Sequence, residues 1–225
     1  MIEERPEEYL KIISLAAERS EEVTTSYLAR RLDLSMPSIT QMLQRLAAKG
    51  LIQHTPRGPV RLTAEGQRIA ISLIRRHRLW ENFLVHSLGF SWDEVHEEAG
   101  RLEHVTSPAL EERLVDFLGD LAACPHGHAI PGRSDLQRAL PLSEIESTGP
   151  VRIVRIREET PDFLRRLAHL DVRPGRIIEV ERISAADGSV WVRIDGKPKE
   201  IMGDLAANVM VEKSEESMAI AGDTA

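Results

Sequence analysis

The chain has 225 residues, a formal net charge of −7, 42% hydrophobic and 29% charged residues, and 4% aromatics. That length points to two or three domains with cores of Leu, Ile, Val and Ala, and no run of 18 apolar residues is present to form a transmembrane helix. The single cysteine, Cys124, excludes an internal disulfide and any zinc site built on two or more thiolates; an acidic start, MIEERPEEYL, without a secretory signal then predicts a cytoplasmic protein with no membrane attachment.

In chain order, Pro6 opens a helix to about residue 19 with an apolar stripe of Tyr9, Leu10, Ile12, Ile13, Leu15 and Ala16. Thr24 or Thr25 caps a second helix to about Leu32. After the turn DLS, Ser35 caps a third, with Pro37 in its first turn and Gly50 at its end. Leu51-Ile52 and Val60-Arg61-Leu62 flank a PRGP tip and predict a hairpin. A long helix then runs from about Thr63 to Leu88. Two more are expected near 92–105 and 108–123, capped by Ser91 and Ser107. CPHGHAIPGRS is a turn-rich loop, expected to be structural; a short helix or turn near 134–139 leads into the linker LPLSEIESTGP. Beyond Gly149, short β-branched runs alternate with turns around a helix at Thr160–Leu170, which predicts a small β-barrel of about five strands. The last twelve residues read as a frayed tail. The expected class is mainly α with small β, in three domains: 1–65, 66–140 and 149–213.

Helix, helix, tight turn, helix and two-stranded wing is the winged helix-turn-helix pattern. Residues 30–62 carry six basic side chains against Asp33 alone, a local charge of +5 that leaves −12 for the rest, so a basic module sits on an acidic body. The third helix would enter the major groove of double-stranded DNA. Ser35, Pro37, Ser38, Thr40 and Gln41 would face base edges or phosphates, and Arg45 with the wing-tip Arg57 would contact phosphates. A helical module that binds protein is the alternative.

In the middle of the chain, HRLWE places His77 and Glu81 at i and i+4, and VHEEAGRLEH places His96, Glu103 and His104 on one helical face. Imidazole nitrogen with carboxylate oxygen suits Mn2+, Fe2+, Co2+ or Zn2+. Histidines satisfied by neighbouring carboxylates in a plain core are the alternative.

HRLWE with VHEEAGRLEHVTS, behind SMPSITQMLQRLAAKGLI, resembles the family of the diphtheria toxin repressor, the iron-dependent regulators and the manganese transport regulator, over residues 5–213. IPG and LDVRPG are also similar to that family. The resemblance implies an SH3-like, FeoA-like third domain, a metal-binding and dimerising helical domain, and repression of metal-uptake genes at a palindromic operator. It implies one metal site at His77, Glu81 and His96, to which the third domain adds polar ligands matched by Glu159 and Asp162. It implies a second at Glu8, Glu103 and His104. The position that carries Cys or Glu in the family is Gly100, where only the backbone carbonyl or water could serve. With nitrogen and oxygen donors the expected ion is Mn2+, alternatively Fe2+, with Co2+, Zn2+ or Cd2+ binding in vitro.

A homodimer is expected, because Ile69, Leu73, Leu79, Phe83, Leu84, Leu102, Leu114, Phe117, Leu118 and Leu121 exceed what one thin layer buries internally. Two other functions stay open on the sequence: a MarR-like regulator of a small ligand with structural histidines, and a metal-dependent enzyme. No nucleophile motif, phosphate loop or HExxH supports the latter.

Overall fold

The computed structural model describes residues 6–55, 58–132 and 139–214. Arg57, most of the expected turn at 134–139 and the tail from 215 lie outside the described residues. The chain divides into two compact units, Met1–Arg76 and His77–Ala225.

The first unit holds α1 (Pro6–Glu18), α2 (Thr25–Leu32), α3 (Met36–Ala48), β1 (Ile52–His54), β2 (Val60–Leu62) and the start of α4 (Ala64–Leu88). Local chemistry sets each boundary. Thr24 caps α2 by accepting from the Tyr27 N–H, and Asp33 ends it in the left-handed conformation at φ 53°. Ser35 caps α3 through the Ser38 N–H, with Pro37 in the first turn where its missing donor costs nothing. β1 and β2 pair antiparallel, Ile52 opposite Leu62. The wing is tied back by the Thr63 hydroxyl on the Gly50 carbonyl at 2.7 Å and by the Val60 N–H on the Val23 carbonyl at 2.8 Å. The stripes of α1 and α3 meet in one core of Tyr9, Leu10, Ile13, Leu28, Ile39, Leu43 and Leu46, joined by Ile52 and Val60.

The second unit contains the rest of α4, α5 (Val95–Leu102), α6 (Pro108–Leu118), β3 (Leu140–Pro141), β4 (Gly149–Ile156), α7 (Pro161–His169), β5 (Ile177–Ile183), β6 (Val190–Ile194), β7 (Lys197–Ile201), α8 (Gly203–Ala206) and β8 (Val209–Lys213). The sheet is antiparallel in the order β3-β8-β4-β5-β6-β7. It has six strands rather than about five, because Leu140–Pro141 of the expected linker pairs with β8. Register shifts at Ile153/Arg155 and Val180/Arg182 mark bulges, which bend the sheet around a core of Ile153, Ile156, Leu164, Leu167, Ile178 and Val192.

Two helices are shorter than the sequence suggests. α5 begins at Val95, not 92: Trp92 is drawn into the core of the sheet, and Ser91 bonds the Glu94 carboxylate instead of capping a helix. α6 stops at Leu118 because Gly119 sits at φ 69°, ψ −148°, a conformation open to glycine. The chain then forms a small hairpin closed by the Ala123–Ala129 bridge. On this unit Val105 and Phe117 are largely exposed, and the Phe117 ring meets Phe83 edge-on at 5.5 Å.

Candidate metal centre

Successive turns of α4 carry His77 and Glu81, one turn of α5 carries His96, and Glu103 closes the C-terminus of α5, all within the second unit. His77, Glu81 and Glu103 are buried. His77 Nε2 stands 3.1 Å from Glu81 Oε1 and 3.0 Å from His96 Nδ1, and His96 Nδ1 stands 3.3 Å from Glu81 Oε1. Three donor atoms therefore form a near-equilateral triangle. Around one ion with bonds of about 2.1 Å, neighbouring donors lie about 3.0 Å apart at right angles and about 3.4 Å apart in a tetrahedron. The triangle fits a first-row divalent ion without rearrangement.

Glu159, in the turn before α7, approaches the same place: its Oε2 lies 3.1 Å from His96 Nδ1. Its Oε1 lies 2.7 Å from His128 Nε2, which also donates to the Ile156 carbonyl at 2.9 Å. Asp162 stays outside. It lies in the first turn of α7 on the face opposite Phe163, Leu164 and Leu167, its side chain is 93% exposed, and it pairs with Arg165. On the other side, His77 Nδ1 meets Glu103 Oε2 at 2.5 Å, and Glu103 Oε1 lies 3.4 Å from His104 Nε2. Gly100 is helical in α5, and a Cβ added there would meet nothing within 4 Å. Glu8 lies in the first turn of α1, in the first unit.

The hairpin 122–130, which reads from the sequence as a structural loop, adds further donors. Cys124 and His126 have ligand atoms within 4.8 Å of each other and of a Glu81 oxygen, so Glu81 belongs to two groups of possible ligands. His126 is fully buried; its Nε2–H donates to the Trp92 carbonyl at 2.7 Å, and its Nδ1 has no hydrogen-bond partner among the described residues and faces Glu81 Oε1 at 3.4 Å. An imidazole nitrogen left unbonded beside a thiol and a carboxylate is a group that could hold a metal ion. The sequence predicts a donor set of nitrogen and oxygen alone; the structure places the Cys124 sulfur within reach of Glu81 as a further candidate. The spacing Cys-x-His is visible in CPHGH; what hides it is that Glu81 lies 43 positions earlier.

The carboxylates and imidazoles of this region shift one another's pKa values. Burial disfavours charge on His96, but hydrogen bonds to Glu159 and Glu81 outweigh it and raise its pKa to about 9. Burial likewise opposes charge on His126, and its contacts with Cys124 and Glu81 push it up to about 12. Glu81 and Glu159 are desolvated, yet the surrounding histidines hold both well below the ordinary carboxylate range. Burial and the Glu81 charge raise the Cys124 thiol to about 11.

On the first unit, α3 exposes Ser35, Pro37, Thr40, Gln41 and Arg45, with Ser38 half-buried. Three hydroxyls are already engaged: Thr40 donates to the Met36 carbonyl at 2.8 Å, and Ser35 and Ser38 share a 2.9 Å hydrogen bond. Gln44, three residues beyond Gln41, is exposed on the same face and was not singled out from the sequence, although the helical period alone gives it.

Three family models match in series: the iron dependent repressor N-terminal DNA binding domain over residues 1–60, the iron dependent repressor metal binding and dimerisation domain over 63–132, and the FeoA domain over 140–213. The diphtheria toxin repressor of Corynebacterium efficiens is 34% identical over 218 residues, covering 92% of this chain and 94% of that protein. The chain belongs to the iron-dependent repressor family. It is a metal-dependent transcriptional repressor and not an enzyme. The iron-dependent repressor IdeR of Mycobacterium tuberculosis is 33% identical over 224 residues, 92% of this chain and 96% of that one. Among solved structures, a manganese-dependent transcriptional repressor in complex with manganese superposes with a TM-score of 0.85 at 33% identity, covering 93% of this chain and all of the other. ScaR with bound Zn2+ gives 0.77 at 31%, with 93% and 100% covered. Among the described residues of this repressor, no helix is long and apolar enough to cross a membrane.

Proposed function

We propose that this repressor responds to Mn2+ in the cytoplasm and represses metal-uptake genes, binding a palindromic operator as a homodimer. The observation that carries the reading is the triangle of His77 Nε2, Glu81 Oε1 and His96 Nδ1 with Glu159 beside it: an all nitrogen and oxygen set suited to a hard divalent ion. Similarity to a manganese-dependent repressor supports it. Cys124 favours a second reading, in which Glu81, Cys124 and His126 bind Fe2+ more tightly than the harder Mn2+.

A bound ion would supply a positive charge in place of the proton that Glu159 and Glu81 favour on His96. Glu103 touches His77 and His104, so it links the His77–Glu81–His96 triangle to the Glu103–His104 pair. In the family resemblance, Glu8 of the DNA-binding unit completes that pair. Metal would then fix the groove-reading helix with respect to the dimer axis, and a larger fraction of molecules would be competent to bind two half-sites spaced about 34 Å apart. The exposed Val105 and Phe117 supply apolar surface for the dimer.

The test is footprinting on the promoter DNA upstream of this gene and of metal-transporter genes, titrated with Mn2+, Fe2+, Co2+ and Zn2+ against a chelator-treated sample. Protection of an inverted repeat at the lowest concentration of Mn2+ supports the reading. Protection that is equal with and without metal removes it.

A further inference from the structure

Column geometry on α4 points to a role for two buried polar residues beside the donors. His77 and Glu81 form one i, i+4 column; Arg78 and Asn82 form the next. Asn82 Nδ2 donates to the Arg78 carbonyl at 2.9 Å and to the Ala123 carbonyl at 3.1 Å. Arg78 Nη1 donates to the Ala129 carbonyl at 2.5 Å. Ala123 and Ala129 are the two residues whose bridge closes the hairpin carrying Cys124 and His126. Both are thus gripped by one helix, and that helix also carries Glu81.

We propose that Asn82, with Arg78, is a positioning residue for the sulfur ligand: it fixes Cys124 at coordination distance from Glu81 and so determines whether the site binds metal through thiolate. This rests on the reading of Glu81, Cys124 and His126 as ligands. Glu81 and Asn82 are adjacent on α4, and Ala123 and Cys124 are adjacent on the hairpin, so one hydrogen bond sets the spacing between ligands from distant parts of the chain. The hairpin's own bonds, Cys124 N–H to His128 O at 2.9 Å, Gly127 N–H to Cys124 O at 2.8 Å and Ile130 N–H to Ala122 O at 2.8 Å, hold its shape but not its place on α4. The imidazole is anchored separately, by the Trp92 carbonyl and by the Ile156 N–H on the His126 carbonyl at 2.9 Å. Loss of the Asn82 bond should therefore release sulfur and leave imidazole in place.

The probe is Co2+ added to the full-length, metal-free protein. Thiolate-to-cobalt charge transfer in the near ultraviolet reports sulfur ligation, and d–d absorption in the visible reports occupancy by any donors. The wild type is expected to show both, and Cys124→Ser only the second. Asn82→Asp, which keeps the shape but turns the donor into an acceptor, is expected to lose the charge-transfer band, keep visible absorption and bind Co2+ about 10-fold or more weakly. A full band in Asn82→Asp overturns the positioning role alone. No band in the wild type overturns the ligand reading and the proposal with it. If Asn82→Asp fails to fold, the pair Arg78→Met and Arg78→Lys decides: a weakened band in the first, restored in the second, supports the proposal, and equal bands in both overturn it.

Discussion

His126 donates its Nε2–H to the carbonyl oxygen of Trp92 at 2.7 Å, and that bond turns its other nitrogen toward Glu81. Trp92 lies in the core of the sheet and its ring stacks on the imidazole, so the orientation of this candidate ligand is set by the packing of the FeoA-like domain. The arrangement ties metal chemistry to protons, because the carboxylates raise the pKa of His96 and of His126 and so favour a proton on each when no ion is bound.

Metal uptake should therefore release protons and strengthen with pH. His96 is held protonated up to a pH of about 9, so between pH 6 and 8.5 each bound ion must displace at least its proton. The apparent affinity is expected to rise roughly tenfold per pH unit for each displaced proton. Calorimetric titration in buffers of differing ionisation enthalpy counts the protons. A pH-independent affinity over that range would contradict the assignment of His96 as a ligand.

The same shifts fix the pH range in which the metal-free protein is most stable. The raised histidine pKa values give stability that is complete below the ordinary value of 6.5 and is lost as pH rises through about 9 for His96. The lowered carboxylates Glu81 and Glu159 give stability that is complete above 4.5 and is lost as pH falls through their depressed values. Thermal melting of chelator-treated protein should accordingly peak between about pH 4.5 and 6.5. Glu81→Gln should lower that peak and flatten the dependence on both sides, as measured by calorimetry across pH.

Much of this organisation was legible in the residues because it is local. Thr24, Ser35 and Ser107 cap the helices expected of them, and the i, i+4 spacing of His77 and Glu81 does bring their side chains together at 3.1 Å. What is not local was harder to read. Ser91 reads as a cap, yet burial of Trp92 in the sheet core outweighs the gain of an added helical turn. CPHGH reads as a structural loop from the sequence, and its place beside Glu81 depends on the bonds from Asn82 and Arg78 of α4 to the Ala123 and Ala129 carbonyls, which no local pattern reveals. Asp162 and Glu159 read as equal candidates, but only Glu159 precedes the helix and turns inward.

Two glycines should respond in opposite directions to alanine. Gly100 is helical with open space at its Cβ, so Gly100→Ala should stabilise the metal-free protein by about 0.5–1 kcal/mol through reduced unfolded-state entropy. Gly119 also has open space, but its backbone at φ 69°, ψ −148° is hostile to a Cβ, so Gly119→Ala should cost about 1–3 kcal/mol. Urea unfolding at fixed pH measures both. Equal effects would mean that the end of α6 is not under backbone constraint.

Phe117 tests the dimer. Its ring is 66% exposed and leans on Phe83, so a charge there costs a monomer little. In a dimer that buries this face, Phe117→Glu should weaken association by about 2 kcal/mol or more. Analytical ultracentrifugation is expected to show wild-type dimers and mutant monomers at the same micromolar concentration, with unchanged helical circular dichroism. A mutant that stays dimeric would place the interface elsewhere.

Arg45 separates phosphate attraction from base reading on α3. It is exposed in the last turn of the helix, past the Pro37, Thr40 and Gln41 face, so its guanidinium is suited to a phosphate rather than a base edge. Replacing it with Ala should weaken metal-activated binding to operator and to unrelated DNA by a similar factor. It should also reduce the slope of log affinity against log salt by about 0.9 for each phosphate left without its guanidinium. Gln41→Ala should instead weaken operator binding selectively and leave the salt slope unchanged, because it removes a hydrogen bond to a base and no counterion release depends on it. Fluorescence anisotropy over a range of salt concentrations with both DNAs checks the pair. If Gln41→Ala lowered both affinities equally, α3 would be gripping the backbone rather than reading the groove.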